Sequence, residues 1–194
     1  LLESIANQSL AVHAWGYVPT FDHQTQANEA WKTMRECRRF LEDRVGVLPP
    51  SLRIGHSLGC KLHLLAPDSG RNSKGLITMS FNNFSADRSV PMLSELAPKL
   101  GFQSEFSPSP KETLRLINER YFQSNNLLIS FNKDNLDQSK SLLKCLKARQ
   151  VDDASTRLCF EGDHLTPASA GLRKSLLGEW ANDSAKTNSL KKIV

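Results

Sequence analysis

Residues 52–62 of the chain read LRIGHSLGCKL and contain the pattern Gly-x-Ser-x-Gly with Ser57 at its centre. Apolar residues before the pattern predict a short strand that ends at Ile54, and residues 60–65 predict a helix. A serine between a strand and a helix at this spacing is typical of a nucleophile elbow. Such an elbow is a sharp turn that exposes the serine hydroxyl above the edge of a sheet.

The two glycines of the pattern, Gly55 and Gly59, are expected to be required because a Cβ at either position would strike the neighbouring strand or helix. The serine then lies at the start of a helix, where free N–H groups favour a developing oxyanion. We expect the backbone N–H of Leu58 to be one oxyanion-hole donor. The pentapeptide alone is equally compatible with an ordinary Gly/Ser turn, so the rest of the chain must distinguish the two interpretations.

The composition of the 194 residues, with 39% hydrophobic and 23% charged residues, is typical of a soluble globular protein with one domain. We predict this domain over residues 1–183 and a basic, disordered tail over residues 184–194. No apolar run approaches the roughly 20 residues that a membrane span needs. The chain starts in the middle of a pattern without a signal or transit peptide, and we therefore expect N-terminal strands to be missing.

The net charge is +5, and much of the excess lies in Arg38, Arg39, residues 140–149 and residues 186–192. Such an excess of positive charge is typical of proteins that bind nucleic acid or an anionic surface. It is also found where solvated helix faces and a tail carry lysine and arginine. The chain has only two tyrosines and no interleaving of aromatic and basic residues, which favours the second interpretation. We expect no nucleic-acid partner.

The four cysteines form no C-x-x-C pair, and each lies in an apolar helix or strand pattern: Cys37, Cys60, Cys145 and Cys159. This spacing does not match a zinc site. We expect all four to be small buried hydrophobic residues in a reducing compartment.

Strand and helix patterns alternate along the chain, which predicts an α/β fold with a mostly parallel sheet and helices on both faces. The predicted strands are residues 10–15, a strand ending at 54, 76–81, 127–131 and 157–160. The predicted helices are residues 1–6, 24–45, 60–65, 111–122, 137–149 and 168–180. The proline-rich residues 85–110 are either a lid over an active site or a surface excursion without a gating role.

Candidate catalytic groups follow three of these strands: Ser57, Asp134 and His164. Active sites of open parallel sheets lie beyond the C-terminal ends of the strands, and the order Ser, Asp, His is that of α/β-hydrolases. A serine hydroxyl is a poor nucleophile until an imidazole takes its proton. The imidazole in turn needs a carboxylate that orients it and stabilises its charge.

Other polar residues near these positions have different expected roles. Asp137 is the second candidate for the carboxylate, although its position also suits a cap of the following helix. Gly162 is expected to let its loop bend so that His164 reaches the serine, while Asp163 shapes the turn. We expect three other histidines to be structural: His13 in the core or on a sheet face, His56 in a local contact, and His63 on the elbow helix.

Three strings longer than the pentapeptide resemble the DUF1350 family: FDH at 21–23, IGHSLGCKLHLL at 54–65 and SFNNF at 80–84. This is an α/β-hydrolase-like family of unknown function from cyanobacteria and plastid-bearing organisms, and the resemblance runs to about residue 182. It implies a cyanobacterial cytosol or a plastid stroma. It also implies that a strand and a Gly-Gly loop, with the second oxyanion donor, precede Leu1. It implies no particular substrate.

The sequence therefore predicts an α/β-hydrolase-like domain that acts as a serine hydrolase on an ester or thioester, as an esterase, lipase or thioesterase. Ser57 is the expected nucleophile of an acyl-enzyme mechanism, His164 its base and then acid, and Asp134 the orienting carboxylate. We expect a small-molecule acyl substrate and no metal or organic cofactor. The alternative is a non-catalytic protein of the same fold that serves as a binding or assembly factor.

Overall fold

A computed structural model of the chain describes residues 1–86, 105–149 and 152–169. In these residues four parallel strands form one sheet in the order β1-β2-β3-β4. The strands are β1 (Leu52–His56), β2 (Gly75–Met79), β3 (Asn126–Phe131) and β4 (Thr156–Phe160). All four carboxyl ends therefore lie at one edge of the sheet, the edge at which the candidate catalytic residues follow β1, β3 and β4.

Six helices are present in the described part of the chain. They are α1 (Leu2–Ala6), α2 (His23–Val45), α3 (Leu58–Leu64), α4 (Pro110–Arg120), α5 (Ser139–Lys147) and α6 (Thr166–Ser169). Side chains cap two of them: the Asp22 carboxylate accepts a hydrogen bond from the Thr25 N–H at the start of α2, and Ser109 caps α4 before Pro110. These are the residue types expected at helix starts.

Three of the helices pack against the sheet in a single hydrophobic cluster and so lie on one of its faces. The cluster joins α3, α4 and α5 to β2 and β3. Its buried members are Cys60, Leu64, Leu76, Phe81, Ile117, Tyr121, Leu128, Leu142 and Leu146. Burying each of the larger side chains stabilises the fold by about 1.5–3 kcal/mol. The opposite side of α3 packs against α2 through Ala27, Leu62 and Leu65.

The predicted strands that end near residues 54, 81, 131 and 160 are confirmed with small shifts in their bounds, and so are the helices at the same places in the chain. β1 continues beyond its predicted end at Ile54 to His56, because His56 still pairs with Met79 of β2. The helix after the elbow consequently begins at Leu58 rather than at Cys60.

The predicted strand over residues 10–15 is wrong. These residues form neither a strand nor a helix, and Leu10 and Val12 are 58% and 38% exposed. His13 is also exposed, so its expected place in the core or on a sheet face is wrong as well. An alternating apolar pattern becomes a strand only beside a partner, and no described strand pairs with this segment. Trp15 stacks on Tyr17 instead, with 4.9 Å between ring centroids.

Two further expectations about burial are corrected. Cys60 is buried, but Cys159 is exposed on β4, where four of five residues are exposed. The apolar stripe of α2 is buried only at its beginning, because α2 has 23 residues and packs against α3, which has 7. Phe40, in the second half of α2, is therefore 52% exposed, with the Arg44 guanidinium 3.9 Å from its ring centroid.

Most of the predicted lid at residues 85–110, most of the last predicted helix and the predicted tail lie outside the described residues. In the part of the chain that the structure describes, no helix is both long and apolar enough to cross a membrane.

Candidate active site

Ser57 stands in a sharp turn between β1 and α3. Its backbone angles are φ 52° and ψ −119°, a conformation that residues other than glycine rarely adopt. The Ser57 N–H donates to the Met79 carbonyl at 3.0 Å, which ties the turn to the end of β2. A turn of this kind places the hydroxyl at the carboxyl edge of the sheet, as expected for a nucleophile elbow.

The two glycines of the elbow pattern differ in their surroundings. A Cβ on Gly55 would lie 2.6 Å from the backbone nitrogen of Cys60, so this position requires glycine as expected. A Cβ on Gly59 would meet no described atom within 4 Å. The expectation that Gly59 is required for lack of space is therefore wrong, because α3 directs this residue away from its neighbours.

The structure brings together the three side chains that the sequence singled out. His164 Nε2 lies 3.0 Å from Ser57 Oγ, and His164 Nδ1 lies 2.9 Å from Asp134 Oδ2. A carboxylate only accepts hydrogen bonds, so Nδ1 carries the proton and Nε2 accepts from the serine hydroxyl. The Asp134 side chain is fully buried and the His164 side chain is 19% exposed. The arrangement can move a proton from the hydroxyl to the imidazole.

Asp134 is held by the loop that follows β3. Its N–H donates to the Phe131 carbonyl at 3.1 Å, and its Oδ1 accepts from the Leu136 N–H at 2.9 Å. The other carboxylate oxygen is thereby directed at His164. The same loop is tied to the histidine loop, because the Lys133 N–H donates to the Gly162 carbonyl at 2.9 Å.

Asp137, the alternative carboxylate, has a different partner. Its Oδ1 accepts from the Ser139 hydroxyl at 2.6 Å, and burial raises the pKa of this carboxyl above its usual value. It is not the cap residue of α5 either, since that position belongs to Gln138. Of the two aspartates, the structure places Asp134 against the imidazole of His164.

The loop that carries His164 depends on an unusual backbone conformation. Gly162 has φ +142°, and a Cβ there would lie 2.5 Å from Thr166 Oγ1. Asp163 shapes the turn as expected: its Oδ1 accepts from the Leu165 N–H at 3.0 Å, and its own N–H donates to Thr166 Oγ1 at 2.8 Å. These contacts hold the imidazole over the elbow.

A cavity of about 250 Å³ lies beside the elbow, and both Ser57 and Leu58 line it. Leu58 is the first residue of α3, so its N–H has no acceptor within the helix. Leu58 directly follows Ser57, and its N–H is the group for which the sequence predicts a role as oxyanion-hole donor. The cavity is also lined by His23, Lys61 and Phe106, none of which the sequence indicated as site residues.

The family model of DUF1350, described as a protein of unknown function, matches residues 1–193. The chain belongs to the DUF1350 family. The resemblance noted in the sequence is thereby confirmed over nearly the whole chain. No curated protein sequence matches the chain.

Several solved structures are similar to this DUF1350 chain at low identity. The monoacylglycerol lipase of Paleococcus ferrophilus is 16% identical, with 70% of this chain and 66% of the lipase covered and a TM-score of 0.46. The thioesterase domain from the curacin biosynthetic pathway is 12% identical, with 89% of this chain and 73% of that domain covered and a TM-score of 0.45. Mouse alpha/beta hydrolase domain-containing protein 10 is 17% identical, with 84% of this chain and 67% of the mouse protein covered and a TM-score of 0.41.

This DUF1350 chain thus spans less than two thirds of the lipase that it resembles. The parallel sheet and the turn at Ser57 are those of an α/β-hydrolase-like fold.

Sequence reasoning missed the role of His56. Its Nε2–H donates to the His164 carbonyl at 2.7 Å, although we expected a local contact. Burial lowers the pKa of His56, which keeps this imidazole neutral. His63 is structural as expected: its Nε2–H donates to the Ile54 carbonyl at 3.1 Å, and burial lowers its pKa to about 4. In the DUF1350 chain, His56 thus fastens the backbone of the loop that carries His164.

Proposed function

We propose that this DUF1350 protein is a serine hydrolase that cleaves an ester or thioester through an acyl-enzyme. The observation that carries the proposal is the continuous chain of hydrogen bonds from Ser57 through His164 to Asp134, with contacts of 3.0 and 2.9 Å. This is the geometry that a serine nucleophile, its base and the orienting carboxylate require.

In the first step, Ser57 Oγ attacks the carbonyl carbon of the substrate while His164 Nε2 takes the hydroxyl proton. The tetrahedral intermediate carries its negative charge on the former carbonyl oxygen, to which the Leu58 N–H donates. Asp134 stabilises the imidazolium that has formed. His164 then gives its proton to the departing alcohol or thiol, and the acyl group remains on Ser57.

In the second step, water attacks the acyl-enzyme with His164 as base. The carboxylate product leaves and the Ser57 hydroxyl is restored. The burial of Asp134 supports this mechanism, because a carboxylate shielded from water interacts more strongly with the imidazolium. Both oxygens of this carboxylate have a partner, so its orientation is set before substrate binds.

A fluorophosphonate probe tests the proposal, since it reacts with activated serines. We expect stoichiometric labelling of Ser57 that disappears in Ser57→Ala and falls at least about 100-fold in rate in His164→Ala. Ser69→Ala is the matched control, because Ser69 also has a positive φ, of 56°, but does not line the cavity. Folded protein that reacts no faster than Ser57→Ala would contradict a hydrolase and favour a non-catalytic binding or assembly factor.

A further inference from the structure

Lys61 lies on α3, one turn after Ser57, and is only 1% exposed. Its Nζ donates to the Pro108 carbonyl at 3.0 Å and lies 5.7 Å from the centroid of the Phe106 ring. Within the described residues no carboxylate comes within 4.0 Å of this ammonium group. An ammonium has three N–H donors, and a buried cation without a counter-ion is unfavourable.

Among the described residues, one carboxylate acts on Lys61 from beyond salt-bridge distance. The carboxylate that acts on it electrostatically is that of Glu105, whose Oε1 already accepts from the N–H groups of Ala86 and Phe106 at 3.1 and 2.7 Å. Burial lowers the pKa of Lys61 to about 8, so the side chain is still largely charged at neutral pH. A positive charge therefore lies in the wall of the cavity that Ser57 also lines.

A second buried polar side chain, His23, lines the same cavity. His23 lines the cavity beside Lys61, is 4% exposed and stacks on Phe106 with 4.3 Å between ring centroids. Its Nδ1 is buried and makes no hydrogen bond within the described residues. Burial and the charge of Lys61 lower the pKa of His23 to about 4, so this imidazole is neutral at neutral pH.

We propose that this cavity binds an anionic group of the substrate, a carboxylate or a phosphate, with the Lys61 ammonium as its charge partner. The inference rests on the proposed hydrolase function, because it concerns the part of the substrate next to the bond that Ser57 attacks. Asn83 also lines the cavity with an unpartnered Oδ1, which as an acceptor faces a hydroxyl or a water rather than the anion.

The substrate class is tested with two esters that differ in one charge, the 4-nitrophenyl half ester of glutarate and 4-nitrophenyl pentanoate. We expect kcat/KM to be about tenfold or more higher for the charged ester. Lys61→Met keeps the length of the side chain and should abolish this preference, whereas Lys74→Met removes an exposed lysine and should preserve it. Equal kcat/KM values for the two esters in the wild-type protein would overturn the inference.

A pH series on the wild-type protein tests the same inference without any variant, and so it does not require that Lys61→Met folds. The preference for the charged ester should fall from about pH 6.5 to about pH 9.5, as Lys61 loses its proton. Ionisation of the catalytic residues affects both esters equally and cancels in their ratio. Glu105 acts on the charge of Lys61, and Lys61 acts on His23, whose pKa of about 4 lies below this range. A constant preference would overturn the inference.

Binding to Ser57→Ala separates the inference from the proposed function. Calorimetric titrations with glutarate and with inorganic phosphate show which anion the cavity accepts, and the binding should be lost when Lys61→Met is added. Anion binding without any ester hydrolysis would uphold the anion site and overturn the hydrolase. Hydrolysis of both esters at equal rates, with no anion binding, would uphold the hydrolase and overturn the anion site.

Discussion

His56 Nε2 lies 2.7 Å from the backbone carbonyl oxygen of His164, a residue 108 positions later in the chain. The two imidazoles are also close, with 5.2 Å between ring centroids. Because His56 precedes Ser57 directly, this bond ties the loop of the proposed base to the turn of the proposed nucleophile. We therefore predict that His56 is a positioning residue, which acts on the proposed reaction through His164.

Replacement of His56 by alanine is expected to lower kcat by about 10- to 100-fold, since the His164 carbonyl loses its donor and the imidazole shifts from the serine. KM should change little because His56 does not line the cavity. His56→Gln retains an N–H donor and should restore part of kcat. His63→Gln is the control at a second partly buried histidine. A fall in thermal stability with an unchanged kcat in His56→Ala would refute the positioning role.

Replacement of each candidate carboxylate in turn shows whether Asp134 or Asp137 orients His164. Asp134→Asn replaces the group that accepts from His164 Nδ1, and we expect kcat to fall by about 10³–10⁴-fold. Asp137→Asn should lower kcat less than about tenfold, because Asp137 bonds Ser139 and does not touch the imidazole. Steady-state hydrolysis of a 4-nitrophenyl ester measures both variants. A larger loss in Asp137→Asn than in Asp134→Asn would show that the orienting carboxylate is Asp137.

The two elbow glycines should differ in their effect on stability. The Cβ of Gly55→Ala would lie 2.6 Å from the backbone nitrogen of Cys60. We therefore expect a loss of about 2 kcal/mol or more in the free energy of unfolding. Gly59→Ala has free space and should be neutral or stabilising by up to about 1 kcal/mol, since alanine favours a helix over glycine. Urea unfolding of both variants checks this order, and equal losses would contradict it.

The free energy of unfolding should fall as the pH drops from about 6.5 to about 4. Burial lowers the folded-state pKa of His23 and His63 to about 4, whereas an unfolded histidine has a pKa near 6.5. The unfolded chain therefore binds more protons in this window, and each histidine contributes on the order of 1–3 kcal/mol that is present above the window and lost below it. Asp137 has a raised pKa in the folded state, so its protonation near the acidic end of this pH range opposes the loss of stability.

Urea unfolding across this range measures the effect. His63→Gln retains a donor for the Ile54 carbonyl but does not titrate, so its stability should depend less on pH. The matched control is His13→Gln, because His13 is exposed, and its pH dependence should equal that of the wild-type protein. The same pH dependence in His63→Gln as in the wild-type protein would contradict the buried neutral state of His63.

Local patterns in the sequence predicted much of the fold. The apolar periodicity of α4 and α5 and the apolar runs of β2 and β3 lead to the observed elements because these segments pack against one another. The segment at residues 10–15 has an equally apolar pattern and forms no strand, because pairing depends on a partner that a local pattern does not reveal. The exposure of Phe40 has a similar cause, since it depends on how far α3 extends along α2.

The sequence also predicted only part of the candidate site. The order of Ser57, Asp134 and His164, each after a strand, was sufficient to predict that they converge, because parallel strands end at one edge. The bond between His56 and His164 could not be predicted, since it depends on the path of a distant loop. The buried Lys61 was missed because a lysine in a helix pattern is usually exposed.

The most direct test of the proposed mechanism is the mass of the intact protein during turnover of 4-nitrophenyl acetate. An acyl-enzyme mechanism predicts a burst of one 4-nitrophenolate per chain and an acetyl adduct that peptide mapping places on Ser57. Folded protein that releases 4-nitrophenolate no faster than Ser57→Ala, with no adduct on residue 57, would contradict it.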